Sequence, residues 1–520
     1  MREENVMSPQ EKKVLSYHTF IFPFIWNHNG TVTHKQFEKC MNPYWEQDFR
    51  KNSEENAKYD PRLYAQYCYF NQAARNLIFM ETGDPNPIVR NFRFDLSKFC
   101  GQKEWLQSIK GETNPVRYVI KKDNFEAELR VNGIRLRLFS TGVGMIVFEL
   151  ENYDKNSEKD ITLINEYGRR VFMPYVDDKG GCSLCADTIT LKYPNGEIVS
   201  TFSGKDLEHN SDIRFMELIL YLLRNDRYAA TTALKPEVNQ FRIEPIIDDR
   251  MFVACAWLNN DFALEMQKFA GKEKEYCYLA DAFTMEPNAK NSAARRLYEL
   301  LFIDGDGLSC RSRTMLHEML SEHVYHRWLE YSPEYGTVSG ITEYSLLTVS
   351  SDDIAVNAHL MDYTEMAMLV LAQRASLLAF ERQISDCARG KLRVNRIQRA
   401  YVQFQSKYLL REVTPQQQGI EMYNMLIKNL FISDMQSDLE NQINALFALE
   451  RDASDRADNW ILIVLAILGI VEVVDWCLGK PSCLSVLLSV AVGAVLLLLF
   501  LCNHRNRLKK TRYFSRNRWT

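Results

Sequence analysis

The chain has 520 residues, of which 46% are hydrophobic and 25% charged, and it carries a net charge of −4. That is globular composition with enough apolar material for a sizeable core, which excludes a wholly disordered chain. Seven Lys/Arg and no acid lie between Arg505 and Arg518, which leaves −11 for residues 1–504 and argues against non-specific binding of long nucleic acid by the body.

In chain order, Tyr17 to Trp26 is apolar, aromatic and strand-like. No signal peptide precedes it, because Met1 to Val14 is polar, so a cytoplasmic body is expected. Asp60-Pro61 reads as an N-cap followed by Pro at the first helical position, which opens a helix to Met80. Phe125 to Val131 and Ile134 to Leu138 alternate around Asn132-Gly133 and predict a hairpin. Met145 to Leu150 continues the sheet, and Ser157 with Asp160 forms a capping box opening a helix to Arg170. Ser211 to Leu223 is helical. Phe241 to Ile247 and Met251 to Trp257 read as paired strands around Asp248-Asp249-Arg250. Arg311 to Glu330 reads as a helix and Ile341 to Val349 as a strand.

From Asp352 the pattern is helical. Helices are predicted over Ala358 to Ile384, over Lys391 to Glu412 and after Thr414-Pro415. No Pro or Gly interrupts Ile420 to Leu468, which predicts one continuous helix with an apolar seam suited to self-association. Trp460 to Leu478 and Ser482 to Cys502 are apolar runs of 19 and 21 residues, each about 30 Å long as a helix. They predict a transmembrane hairpin, and the basic tail places both termini inside. Cys477 and Cys483 bracket its turn and are able to pair if that turn meets an oxidising space.

The fold class expected is an α+β cytoplasmic body followed by a long stalk helix and a C-terminal two-helix transmembrane hairpin. Residues 1–350 form the body, with a subdomain boundary near 180–210, and residues 352–459 the helical region and stalk. Residues 460–478 and 482–502 are the membrane helices, and 503–520 the tail.

The stalk QSDLENQINALFALERDASDRADNW, the hairpin and the tail RNRLKKTRYFSRNR resemble the CorA-type magnesium-channel family. That resemblance implies a homopentamer in the bacterial inner membrane whose first membrane helix lines a pore. The family's Gly-Met-Asn motif is missing: Cys477-Leu478-Gly479-Lys480-Pro481 stands in its place. The segments YHTFIFPFIW and GITEYSLLTV look similar to CorA-like proteins associated with type III CRISPR loci, which implies an antiviral effector gated by a nucleotide second messenger. Two alternatives are a divalent-cation transporter with a divergent selectivity motif and a non-conducting membrane-anchored sensor.

Glu472 and Asp475 lie three residues apart on one face of the first apolar run, where acids either line a water-filled cation path or snorkel to the interface. Asp452, Asp455 and Asp458 precede it at intervals of three, as a cation-attracting ring or a solvated face. Arg311 and Arg313 stand near a turn and a helix start where an anion fits. His317, His323 and His326 share a predicted helix without a metal motif, and Cys182-x-x-Cys185 lacks a second pair, so no metal site is assigned. No cofactor is expected beyond divalent cations such as magnesium as permeant or regulatory ions. The partners expected are the bilayer, further copies of the chain and a small nucleotide. No Walker loop, nucleophile elbow or dinucleotide fingerprint occurs, so the chain is not read as an enzyme.

Overall fold

The computed structural model describes residues 13–26, 34–48, 60–80, 87–99, 116–171, 185–193, 198–203, 217–225, 227, 229–231, 240–270, 293–305, 320, 322–325, 336–350, 352–389 and 394–477. The chain divides into two units, Met1–Ser385 with Arg399–Leu439, and Asp386–Gln398 with Glu440–Thr520.

The first unit is built on a mixed sheet with thirteen strands among the described residues. At its centre is β1 (Ser16–Ile25), with its neighbours β6 (Val143–Asn152) and β12 (Phe252–Trp257). Phe20, Phe22 and Phe24 of β1 are fully buried, each adding roughly 2–3 kcal/mol of burial to the core. Pro23 lacks an N–H and is tolerated because of where it falls. The β12 ladder stops at Ile21↔Phe252, and β11 (Glu244–Pro245) takes over at Phe24↔Pro245. Beyond β12, the strand β15 (Ser345–Ser350) pairs in parallel, and β14 (Thr337–Ile341) folds back on it.

The hairpin expected at Asn132-Gly133 is not there. Phe125–Phe139 is one 15-residue strand, β5, with a bulge between Val131 and Gly133. One edge of β5 is shared by two strands. β4 (Arg117–Lys122) pairs its first half and β3 (Val89–Phe94) its second, while β6 runs along the other edge. The turn falls earlier, at Asp123, whose φ is +49°. A Cβ at Gly133, in the bulge, would stand 2.5 Å from the Glu149 carboxylate, the movable end of a long side chain. Phe241 to Ile247 and Met251 to Trp257 do not pair with each other either, since β11 and β12 both pair with β1.

Asp60 caps the helix α1 (Pro61–Tyr69) as expected, accepting from the Arg62 and Leu63 N–H groups, but the helix stops at Phe70 and Asn71 caps a second, α2 (Gln72–Ile78). The capping box of Ser157 and Asp160 opens α3 (Glu158–Gly168). The expected helix Arg311 to Glu330 lies largely outside the described residues, and Val324–Tyr325 within it is a short strand, β13. In the helical region, α4 (Asp353–Ala358) leads through a π-helical turn, His359–Tyr363, into α5 (Thr364–Ala388). Helix α6 (Val394–Lys407) follows, and then α7 (Gln417–Asn429). The continuous helix expected over Ile420 to Leu468 is broken. Leu430 is buried and Phe431 takes a φ of +57°, after which α8 (Ile432–Cys477) begins.

The transmembrane hairpin requires a correction. Among the described residues no helix is long and apolar enough to cross a membrane. Within α8 the run without a charged residue extends only from Asn459 to Val471, thirteen residues between Asp458 and Glu472. At 1.5 Å per residue that is about 20 Å, against the roughly 30 Å of a hydrocarbon core. The expectations of a membrane protein, an ion channel and a multi-pass inner-membrane location are withdrawn with it. The second run, Ser482 to Cys502, Cys483 and the basic tail lie outside the described residues.

Candidate anion-binding site

The last turn of α3 delivers two consecutive arginines, Arg169 and Arg170, to the start of β12. The backbones are joined there: Met251 N–H donates to Arg169 O at 2.7 Å, and Val171 N–H donates to Asp249 O at 3.1 Å. Arg170 and Arg250 face each other as an isolated antiparallel bridge. The Asp248-Asp249-Arg250 segment, legible in sequence only as a connector, is thereby held beside the arginine pair. The β14–β15 turn adds Glu343 and Tyr344, and α5 adds Arg374, whose charge is felt by Glu343, Asp248 and Tyr344.

Most of these charges are matched. Arg170 donates to Glu166 Oε1 at 2.9 Å and to Asp249 Oδ2 at 3.3 Å. Arg250 donates through Nε to Asp248 Oδ2 at 3.0 Å, and its guanidinium lies 4.6 Å from the Tyr344 ring centre. Burial and the neighbouring Asp248 push the Asp249 carboxyl up to about 6. Burial acts on Asp248 in the same sense, but hydrogen bonds with Asp249 and Arg250 outweigh it and hold that carboxyl below its ordinary value.

Arg169 is the exception. Its residue is 1% exposed, and its Nε and Nη1 have no hydrogen-bond partner among the described residues. Nη2 reaches only the Ile303 carbonyl at 3.4 Å, and the Glu166 carboxylate stands 3.7 Å away. Burial, helped by the charges of Arg250 and Arg170, pulls its pKa down to about 10. Arg374 shares this condition: its Nε is buried without a partner among the described residues, and burial lowers its pKa. An unpaired buried donor costs about 1–3 kcal/mol, more when charged. The arrangement offers unused guanidinium N–H groups, an aromatic face on Tyr344 and carboxylate acceptors on Asp248 and Asp249. That set complements a phosphate joined to an amino-bearing aromatic ring.

The residues singled out from sequence fall elsewhere. Asp452, Asp455, Asp458, Glu472 and Asp475 all lie on α8 in the second unit, and their side chains are outside the described residues. Arg311, Arg313, His317, His326 and Cys182 lie outside them altogether. His323 Nδ1–H donates to the Ile341 carbonyl at 2.8 Å, and burial lowers the ring's pKa. Cys185 is buried. The signal missed in sequence was the doublet Arg169-Arg170 at the end of an otherwise apolar helix face, with a second charged triplet ahead of a fully buried strand. No family model, curated protein or solved structure matches this chain.

Proposed function

We propose that the chain is a nucleotide-responsive protein that binds a small phosphate-bearing ligand at the Arg169, Arg170 and Arg250 cluster. The single observation that carries this reading is the buried Arg169 guanidinium with two unpartnered nitrogens. The long 3.7 Å pairing with Glu166 leaves two buried N–H-bearing nitrogens unsatisfied among the described residues, and such costs persist where a ligand supplies the missing acceptors. Arg250, whose side chain is 24% exposed, and Tyr344 form the accessible edge at which a base stacks, with the phosphate directed toward Arg169. The resemblance of GITEYSLLTV to CRISPR-associated proteins points the same way, since Tyr344 belongs to that segment.

The test is calorimetric titration of the full chain with ATP, a linear adenylate dinucleotide and inorganic phosphate, in the wild type and in Arg169→Met. The expected result is binding of one of the adenylates that is lost in the variant, while thermal stability is unchanged or raised. A variant that binds as well as the wild type, or one that loses stability because Arg169 is a structural clamp, overturns the reading.

A further inference from the structure

A cavity of about 650 Å³ lies in the first unit, against β1, β5 and β6 and under α1, α4 and the π-helical turn. It falls within the roughly 300–1,000 Å³ range of small-molecule sites. Its lining contains none of the residues of the arginine cluster described above.

Six carboxylates line it, from Asp48, Asp60, Glu149, Glu151, Asp353 and Glu365, against three guanidiniums, from Arg62, Arg93 and Arg135. Arg135 is already matched, by Glu149 at 2.6 Å and Glu365 at 2.7 Å. Asp60 is occupied at the N-terminus of α1, and Glu151 uses Oε2 to accept from the Tyr153 hydroxyl at 2.6 Å with Arg130 at 4.0 Å, which leaves its Oε1 for a ligand. Even so, the lining remains negative. Between the carboxylates the wall is apolar, formed by Leu63, Leu150, Leu258, Val356 and Leu360.

One amide on this wall indicates what is missing. Gln66 is 2% exposed, and its Nε2 donates to the Met361 carbonyl in the π-helical turn, another lining residue. Its Oε1, a pure acceptor, has no partner among the described residues. An acceptor set in a negative, partly apolar wall calls for a cationic donor. The carboxylates are spread along the wall, and among the described residues no three His, Cys, Asp or Glu converge as a metal ion requires. An extended cation with methylene spacers satisfies the separated carboxylates, the apolar stretches and the Gln66 acceptor together.

We propose that this cavity binds an aliphatic polyamine, its ammonium groups on Glu151 and Asp353, one N–H donated to Gln66 Oε1 and its methylenes against the leucines. The ligand's charge is opposite to that of the nucleotide proposed above, and the site stands independently of that reading.

The experiment is titration of the full chain with spermidine, 1,4-diaminobutane and MgCl₂, with NaCl at matched ionic strength as control. Saturable binding of spermidine is expected, tighter than that of the diamine, and weakened about tenfold by Asp353→Asn and by Glu151→Gln, the loss of one charge-assisted contact each. Asp353 is exposed at the start of α4, so its variant retains the fold even if Gln66→Leu does not. Spermidine heats equal to the NaCl control overturn the proposal. So does spermidine binding untouched by Asp353→Asn and Glu151→Gln, and so does MgCl₂ binding that competes with spermidine and is lost in the same variants.

Discussion

Glu365, 1% exposed at the start of α5, accepts from Arg135 Nη1 at 2.7 Å across 230 residues of sequence. Its second oxygen accepts from Arg137 on the same strand, so one carboxylate ties two buried arginines of β5 to the helical region. Neutralising it takes a buried carboxylate from both arginines and leaves Arg135 with Glu149, 2.6 Å away. Glu365→Gln is therefore expected to destabilise the protein by about 3–5 kcal/mol. Replacing all three residues with apolar ones of similar size is expected to recover much of that loss. Urea unfolding of the single and triple variants checks both, and equal midpoints for wild type and Glu365→Gln contradict the account.

Asp362 sits in the π-helical turn, where burial and then the nearby Glu365 charge raise its carboxyl to about 7. Its Oδ1 is buried without a partner among the described residues. Between the unfolded value near 3.8 and about 7, the native state holds a proton that the unfolded chain has lost. Stability from this group therefore rises as pH falls through that window, and the penalty is complete above pH 7. Asp362→Asn imitates the protonated form and is expected to stabilise the protein by about 1–3 kcal/mol at pH 8, with little effect at pH 4. Thermal melts at the two pH values measure this.

His359 shows the opposite dependence. It is fully buried, and burial lowers its pKa to about 3. Its Nδ1 lies 2.9 Å from Thr348 Oγ1, while Nε2 has no partner among the described residues. Below about 6.5 the unfolded chain takes up a proton that the native ring refuses until about 3. Stability from this group is present above 6.5 and is lost as pH falls, by up to about 1.4 kcal/mol per pH unit. His359→Gln keeps a partner for Thr348 and has no proton to gain. Its stability is expected to fall less steeply between pH 6 and pH 4, and an unchanged slope in chemical denaturation rejects the assignment. His18, lowered to about 4 by burial, remains in the variant and keeps part of the dependence.

Gly144 is paired with Phe24 in the β1–β6 ladder. A Cβ there would stand 2.5 Å from Cζ of that ring. The ring belongs to a fully buried side chain and has little room to retreat. Gly144→Ala is expected to cost about 1–3 kcal/mol through overpacking, despite alanine's better backbone entropy. A midpoint equal to or above that of the wild type excludes the clash.

Local chemistry made several elements legible in advance. Asp60-Pro61 and Ser157 with Asp160 announced helix starts because a cap is satisfied within four residues. The apolar run from Tyr17 announced a buried strand. The Asn132-Gly133 hairpin failed because the dipeptide permits either a turn or a bulge, and only the two strands sharing one edge of β5 select the bulge. The continuous Ile420 to Leu468 helix failed for a related reason. Neither Pro nor Gly marks the break, and Phe431 is held at positive φ between a buried Leu430 and a buried Ile432.

The arginine cluster was less legible still. Arg169 and Arg250 stand 81 positions apart, and Tyr344 a further 94, so no window of sequence contains them together. Composition, periodicity and capping determine which segments become helix or strand, because those preferences are settled by neighbours along the chain. Which charges end buried, and which of them lack a partner, was decided only when β12 was seated between β1 and β15. Desolvation depends on the atoms packed around a group, and those atoms come from distant parts of the chain.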